Sequence, residues 1–121
     1  MKLYSWNVNG IRAVWSKGLF QKFIEEHQPD ILCLQETKAQ PDQSPVDLPD
    51  YKEYWHSAQK KGYSGTAIFS KVEPMEVRNG FSTKIQEKYD FKDTFGTTTD
   101  EGMVLSARFK DFWVVTVYTP N

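Results

Sequence analysis

The 121-residue chain has a single cysteine, Cys33, which excludes an internal disulfide. It has no apolar run near the roughly 20 residues that a membrane-spanning helix needs. Its start, Met1-Lys2-Leu3, lacks the basic, apolar and small-residue segments of a secretory signal. No charge of one sign dominates: 15 Lys and Arg stand against 16 Asp and Glu, a net charge of −1, which argues against a general basic coat for nucleic acid while leaving room for a local basic groove. There are only two histidines, His27 and His56, and neither stands where a general base is expected. Repeats and low-complexity segments are missing. These absences predict a soluble protein of one domain in a reducing, cytoplasmic setting, with Cys33 as a buried core thiol.

Aromatic residues, by contrast, make up 15% of the chain, and many fall in segments with strand patterns. Lys2–Asn7 alternates, with Leu3, Ser5 and Asn7 on one side and Tyr4, Trp6 and Val8 on the other; Asn9-Gly10 then signals a turn. Ser16 is the expected cap of a helix from Lys17 or Gly18 to His27, with Leu19, Phe20, Phe23 and Ile24 on its apolar stripe and Pro29-Asp30 at its end. Ile31–Leu34 is a continuous apolar run, as in strands buried on both faces. Strand, helix and strand within about 35 residues form a βαβ unit. A proline-rich loop, Ala39–Asp50, follows. Strands are expected at Tyr51–Ser57 and Thr66–Ser70, an edge strand at Val72–Arg78 around Pro74, and a hairpin from Met103–Phe109 and Phe112–Tyr118. Gly80–Asp100 is polar and irregular.

The two strands of a βαβ unit end at the same sheet edge, where open α/β sheets bind ligands. The first delivers Asn7 and Asn9 there, and the second delivers Gln35 and Glu36. One carboxylate among side-chain amides is a partial hard-oxygen site, of the kind Mg²⁺ completes with water and substrate phosphate. On spacing alone, ordinary polar residues at strand ends explain the pattern as well.

Four stretches, S-W-N-V-N-G-I-R-A, D-I-L-C-L-Q-E-T-K, K-G-Y-S-G and V-T-V-Y-T-P-N, run in this order from residue 5 to residue 121. Together they closely resemble the exonuclease III family of apurinic/apyrimidinic endonucleases, in the endonuclease/exonuclease/phosphatase superfamily. The resemblance implies an α/β fold, half of the four-layer sandwich of the DNase I-like fold: one mixed β-sheet with a flanking helix. Residues 1–121 would form the N-terminal part of such a domain, with the C-terminal part absent. Its G-D-x-N and S-D-H motifs, which carry the water-orienting residues and the histidine, do not occur in this sequence. The inner sheet face would then be left apolar and uncovered, to be met by the missing half or by self-association.

The resemblance also implies roles. Glu36 corresponds to the metal-binding glutamate and Asn7 to the asparagine beside the metal, with Mg²⁺ (or Mn²⁺) as the cofactor. Tyr118 corresponds to the active-site tyrosine near the target phosphate. Asn121 corresponds to an asparagine on the phosphate backbone, and Arg12, Lys38 and Tyr63 to DNA contacts. Asn9 falls where some members carry an aspartate, and it stands with Gln35 as a supporting residue. The implied activity is DNA repair: hydrolysis 5′ of abasic sites in duplex DNA and 3′-to-5′ removal of nucleotides from 3′ ends. Two alternatives are a non-catalytic half-domain that binds its complement or DNA, and another phosphodiesterase or phosphatase of the superfamily. Each residue also has a plainer reading: Tyr118 as a core aromatic, Tyr63 as surface packing, Arg12 and Lys38 as solvated charges.

Overall fold

The structure, a computed structural model, describes residues 1–60, 62–80, 92–93, 96–97 and 102–119. A four-stranded mixed sheet, ordered β1-β2-β4-β3, is built from β1 (Leu3–Asn7), β2 (Ile31–Gln35), β3 (Lys52–His56) and β4 (Thr66–Ser70). β1 and β2 are parallel, in register from Leu3 against Ile31 to Asn7 against Gln35. β4 runs antiparallel to both β2 and β3. A second, antiparallel sheet is ordered β5-β8-β9, from β5 (Glu76–Asn79), β8 (Val104–Arg108) and β9 (Trp113–Val117). Between them in sequence, β6 (Lys92–Asp93) and β7 (Gly96–Thr97) pair with each other.

Side-chain alternation gives the first sheet two cores. Tyr4 and Trp6 of β1, Leu32 and Leu34 of β2, and Ala67 and Phe69 of β4 pack under the helices with Phe20 and Ile24. Aromatic rings supply much of this layer: Trp6 stacks on Phe20 at 5.7 Å, and Tyr4 meets Phe23 edge-on at 5.3 Å. Ile31, Cys33 and Ile68 point the other way, onto Leu105, Ala107 and Val114 of the second sheet and Phe109 just past β8. The apolar run of β2 is thus explained by burial on both faces.

This arrangement corrects two expectations. The inner face of the mixed sheet is covered over β2 and β4, because the β8–β9 hairpin closes its own apolar face onto it. Apolar surface is exposed instead on the outer face of β9, at Trp113, Val115 and Val117, and at Leu3 of the β1 edge. The helical segment also divides. α1 (Ile11–Ser16) precedes α2 (Leu19–His27), and Gly18, in the left-handed region at φ 74°, caps α2. Ser16 ends α1, its hydroxyl donating to the Ala13 carbonyl, and does not cap α2. α2 stops at Gln28, also left-handed, one residue before Pro29.

The two histidines are held structurally. His27 lies against Phe23 and Tyr4, and His56 Nδ1 is 2.7 Å from the Val104 carbonyl. No helix among the described residues is long and apolar enough to cross a membrane.

Cys33 is buried as expected, and burial pushes its thiol from 9.0 up to about 11. Between those values the folded chain keeps a proton that the unfolded chain has lost, so the contribution is complete below pH 9 and fades as pH rises to 11. At about 1.4 kcal/mol per pH unit, about 3 kcal/mol of stability is at stake. Urea midpoints measured from pH 8 to 11 should fall along this course, and the part due to Cys33 should vanish in Cys33→Val.

Candidate functional site

The site forms where β1 and β2 end side by side. The Val8 N–H donates to the Gln35 carbonyl, the Gly10 N–H to the Glu36 carbonyl and the Ile11 N–H to the Thr37 carbonyl. The amides of the cap residue Gly10 and of Ile11, which opens α1 and has no partner inside its own helix, are thereby satisfied by the segment after β2. The same segment is fastened from the other side: the Thr37 N–H donates to the Gly65 carbonyl at 3.2 Å, and the Lys38 N–H to the Ser64 carbonyl at 2.8 Å. Clamped between these loops, Glu36 and Lys38 adopt left-handed backbone at φ 54° and 52°. That conformation is uncommon for residues with a side chain and persists here because the flanking bonds over-determine it.

The structure brings most of the expected residues together. The Tyr118 hydroxyl, just past β9, donates to Glu36 Oε1 at 2.8 Å, although 82 positions separate the two. Asn7 ends β1 opposite Gln35, and its Oδ1 accepts the Asn9 N–H at 3.1 Å. Asn9 Oδ1 in turn accepts from the Lys38 ammonium at 2.6 Å. The Arg12 guanidinium, in the first turn of α1, donates to the Lys38 carbonyl at 3.1 Å. None of the ion pairs among the described residues involves Arg12 or Lys38. Among the described residues the segment after β2 thus carries one half-buried carboxylate, Glu36, and, two residues on, a lysine whose ammonium and carbonyl are bound to Asn9 and Arg12 with no carboxylate neutralising either cation.

Tyr63 lies on the adjoining loop, exposed, with the Lys60 ammonium 5.4 Å from its ring centre. The backbone bonds of Ser64 and Gly65 tie that loop to Thr37 and Lys38. Gln35 faces inward, and its amide donates to Ser5 Oγ at 3.0 Å and Thr116 Oγ1 at 2.8 Å. Asn121 lies outside the described residues. Thr116, Thr37 and Gly65 fall inside the four stretches, but nothing in the sequence gives them a role of their own. The one usable signal is Thr116, the sole polar position in the strand W-V-V-T-V.

The donor set is all oxygen: a Glu36 carboxylate with one oxygen hydrogen-bonded to Tyr118, and an exposed Asn7 amide. Such donors suit a hard cation that draws its other ligands from water or phosphate. Among the described residues, no three His, Cys, Asp or Glu side chains gather into a metal site. The fit is therefore to part of a coordination shell, with Glu36 as its charged member.

Residues 4–110 match the model of the Endonuclease/Exonuclease/phosphatase family. The chain belongs to this family. Within it, an exodeoxyribonuclease of Bacillus subtilis is 48% identical over 121 residues, covering all of this chain and 43% of the relative. The DNA repair nuclease APEX1 of Danio rerio is 40% identical, again over the whole chain and 36% of the relative. Among solved structures, a 3′-5′ exonuclease from Neisseria meningitidis superposes with a TM-score of 0.73 at 27% identity, covering 98% of this chain and 41% of that one. The chain spans less than half the length of the curated relatives it matches. The family resemblance in the four motifs is thus borne out, as is the α/β fold of the DNase I-like type.

Proposed function

We propose that the chain is the metal- and phosphate-binding part of a DNA repair nuclease that hydrolyses phosphodiesters 5′ of abasic sites and at 3′ ends. The observation that carries this reading is the 2.8 Å bond from the Tyr118 hydroxyl to Glu36, on the segment whose Lys38 also binds Asn9 and Arg12. The names of the relatives support it. Mg²⁺ would be held by Glu36 with Asn7, and when bound it supplies positive charge to phosphate oxygens. The chain's own residues do the rest of the binding. Arg12 and Lys38 draw in the DNA backbone, Tyr63 offers an exposed ring to the duplex, and Tyr118, fixed by Glu36, presents its phenol to the target phosphate. Asn121 would extend the same contact line.

The remaining machinery, including the base that activates water, would come from the part of the relatives that this chain does not span. A non-catalytic role for the isolated chain is the second reading, and it is favoured by the single carboxylate of the site among the described residues. In either case the complementary half would meet this chain at the open β1 and β9 edges and the exposed Trp113, Val115 and Val117. An abasic-site duplex incubated with Mg²⁺ separates the cases, using the chain with and without the remainder of the Bacillus relative. Cleavage only after complementation is the expected result. Cleavage by the chain alone would remove the half-site reading, and no cleavage in either mixture would remove the nuclease reading.

A further inference from the structure

Among the described residues, two polar side-chain bonds cross between the sheets at the site. One is Tyr118 to Glu36, and the other is Gln35 to Thr116 at 2.8 Å. They are adjacent rungs: Gln35 and Glu36 are consecutive, and Thr116 and Tyr118, two apart, face the same side of their strand. Thr116 is 3% exposed and sits among apolar neighbours, where a hydroxyl is costly unless bonded. The Gln35 amide spends both of its hydrogens here, on Thr116 and on Ser5 of the β1 edge. It therefore joins three strands, β1, β2 and β9, at one level. Among the described residues β9 is the edge strand of its sheet, held along its backbone by β8 alone. The floor of the neighbouring cleft, about 490 Å³ between the β1 and β9 edges, is lined by Ser5, Cys33, Gln35 and Thr116.

We propose that the Gln35–Thr116 bond is a positioning device that fixes the height of β9 against β2 and so aims the Tyr118 hydroxyl at Glu36. Gln35 and Thr116 are positioning residues; neither need touch a substrate. The functional part of this inference rests on Glu36 and Tyr118 being the site, while the geometric part does not.

The test uses the 121-residue chain with ¹³C-labelled tyrosine rings. The Tyr118 Cζ signal is assigned by its loss in Tyr118→Phe, and its position without the carboxylate acceptor is taken from Glu36→Ala. Thr116→Val and Gln35→Met keep the shape and remove the bond. In both, the Tyr118 signal should move most of the way to the Glu36→Ala position, and Thr116→Ser, which keeps the hydroxyl, should restore it. In the complemented nuclease the same two variants should lower kcat on the order of tenfold with KM unchanged, the size of effect typical of residues that orient a ligand-bearing group. A wild-type Tyr118 signal in folded Thr116→Val and Gln35→Met chains would overturn the proposal. So would loss of folding in both, since the bond would then hold the sheets together rather than aim Tyr118. If the complemented wild type cleaves nothing, the nuclease reading fails while the tyrosine signal still decides this one.

Discussion

Glu36→Gln is expected to lower phosphodiester cleavage by the complemented protein on the order of a thousandfold, the loss typical of removing a group that stabilises transition-state charge. The substitution keeps size and a hydrogen-bond acceptor for Tyr118, so the local fold should be retained. What disappears is the only negative charge in the described site. Arg12 and Lys38 remain, so duplex binding should be unchanged or tighter while cleavage falls. Anisotropy titrations with a labelled abasic duplex, run beside single-turnover cleavage, separate the two effects. Wild-type cleavage in this variant would remove Glu36 from the chemistry. Weaker DNA binding would show that its carboxylate holds the loop rather than the cation.

Gly65→Ala is the second large effect. Gly65 has φ 96°, where any L side chain is strained, and an added Cβ would lie within 2.3 Å of Thr37 Oγ1. Thr37 is fully buried and β-branched, so it has little room to turn away. Backbone strain of about 1–2 kcal/mol and overpacking of about 1–3 kcal/mol together predict a loss of about 2–5 kcal/mol. The damage should not stay local, because Thr37 lies between Glu36 and Lys38 and donates its N–H to the Gly65 carbonyl. Urea unfolding measures the stability, and the Tyr118 ring signal reports whether the site moves with it. A midpoint equal to wild type would show that the two loops part easily.

Much of the first sheet was legible because its strands are short and strongly patterned. Ile31–Leu34 reads as buried on both faces, and Leu3–Asn7 alternates as β1 does. The join at Asn7 and Glu36 follows from parallel pairing alone. α1 was missed although Ile11, Val14 and Trp15 have helical spacing, because it has only six residues and follows an Asn-Gly turn. Its end at Ser16 is also why that serine caps nothing downstream. The stacking of the second sheet on the first was not legible: it depends on a shared core that joins Cys33 and Ile68 with Leu105 and Val114, between segments whose separation carries no local signal. Tyr118 against Glu36 is the extreme case. Strand pattern allows Tyr118 as a core aromatic equally well, and family resemblance alone singles it out; the structure adds its 2.8 Å bond to Glu36.

The left-handed backbone at Glu36 and Lys38, and at Asn9 with φ 47°, sets up a conflict between durability and work. Glycine would relieve the conformational penalty at each of these positions. A laboratory selection for heat resistance alone would therefore be drawn to the residues that the proposed chemistry requires. Variants recovered that way should outlast the parent and do less.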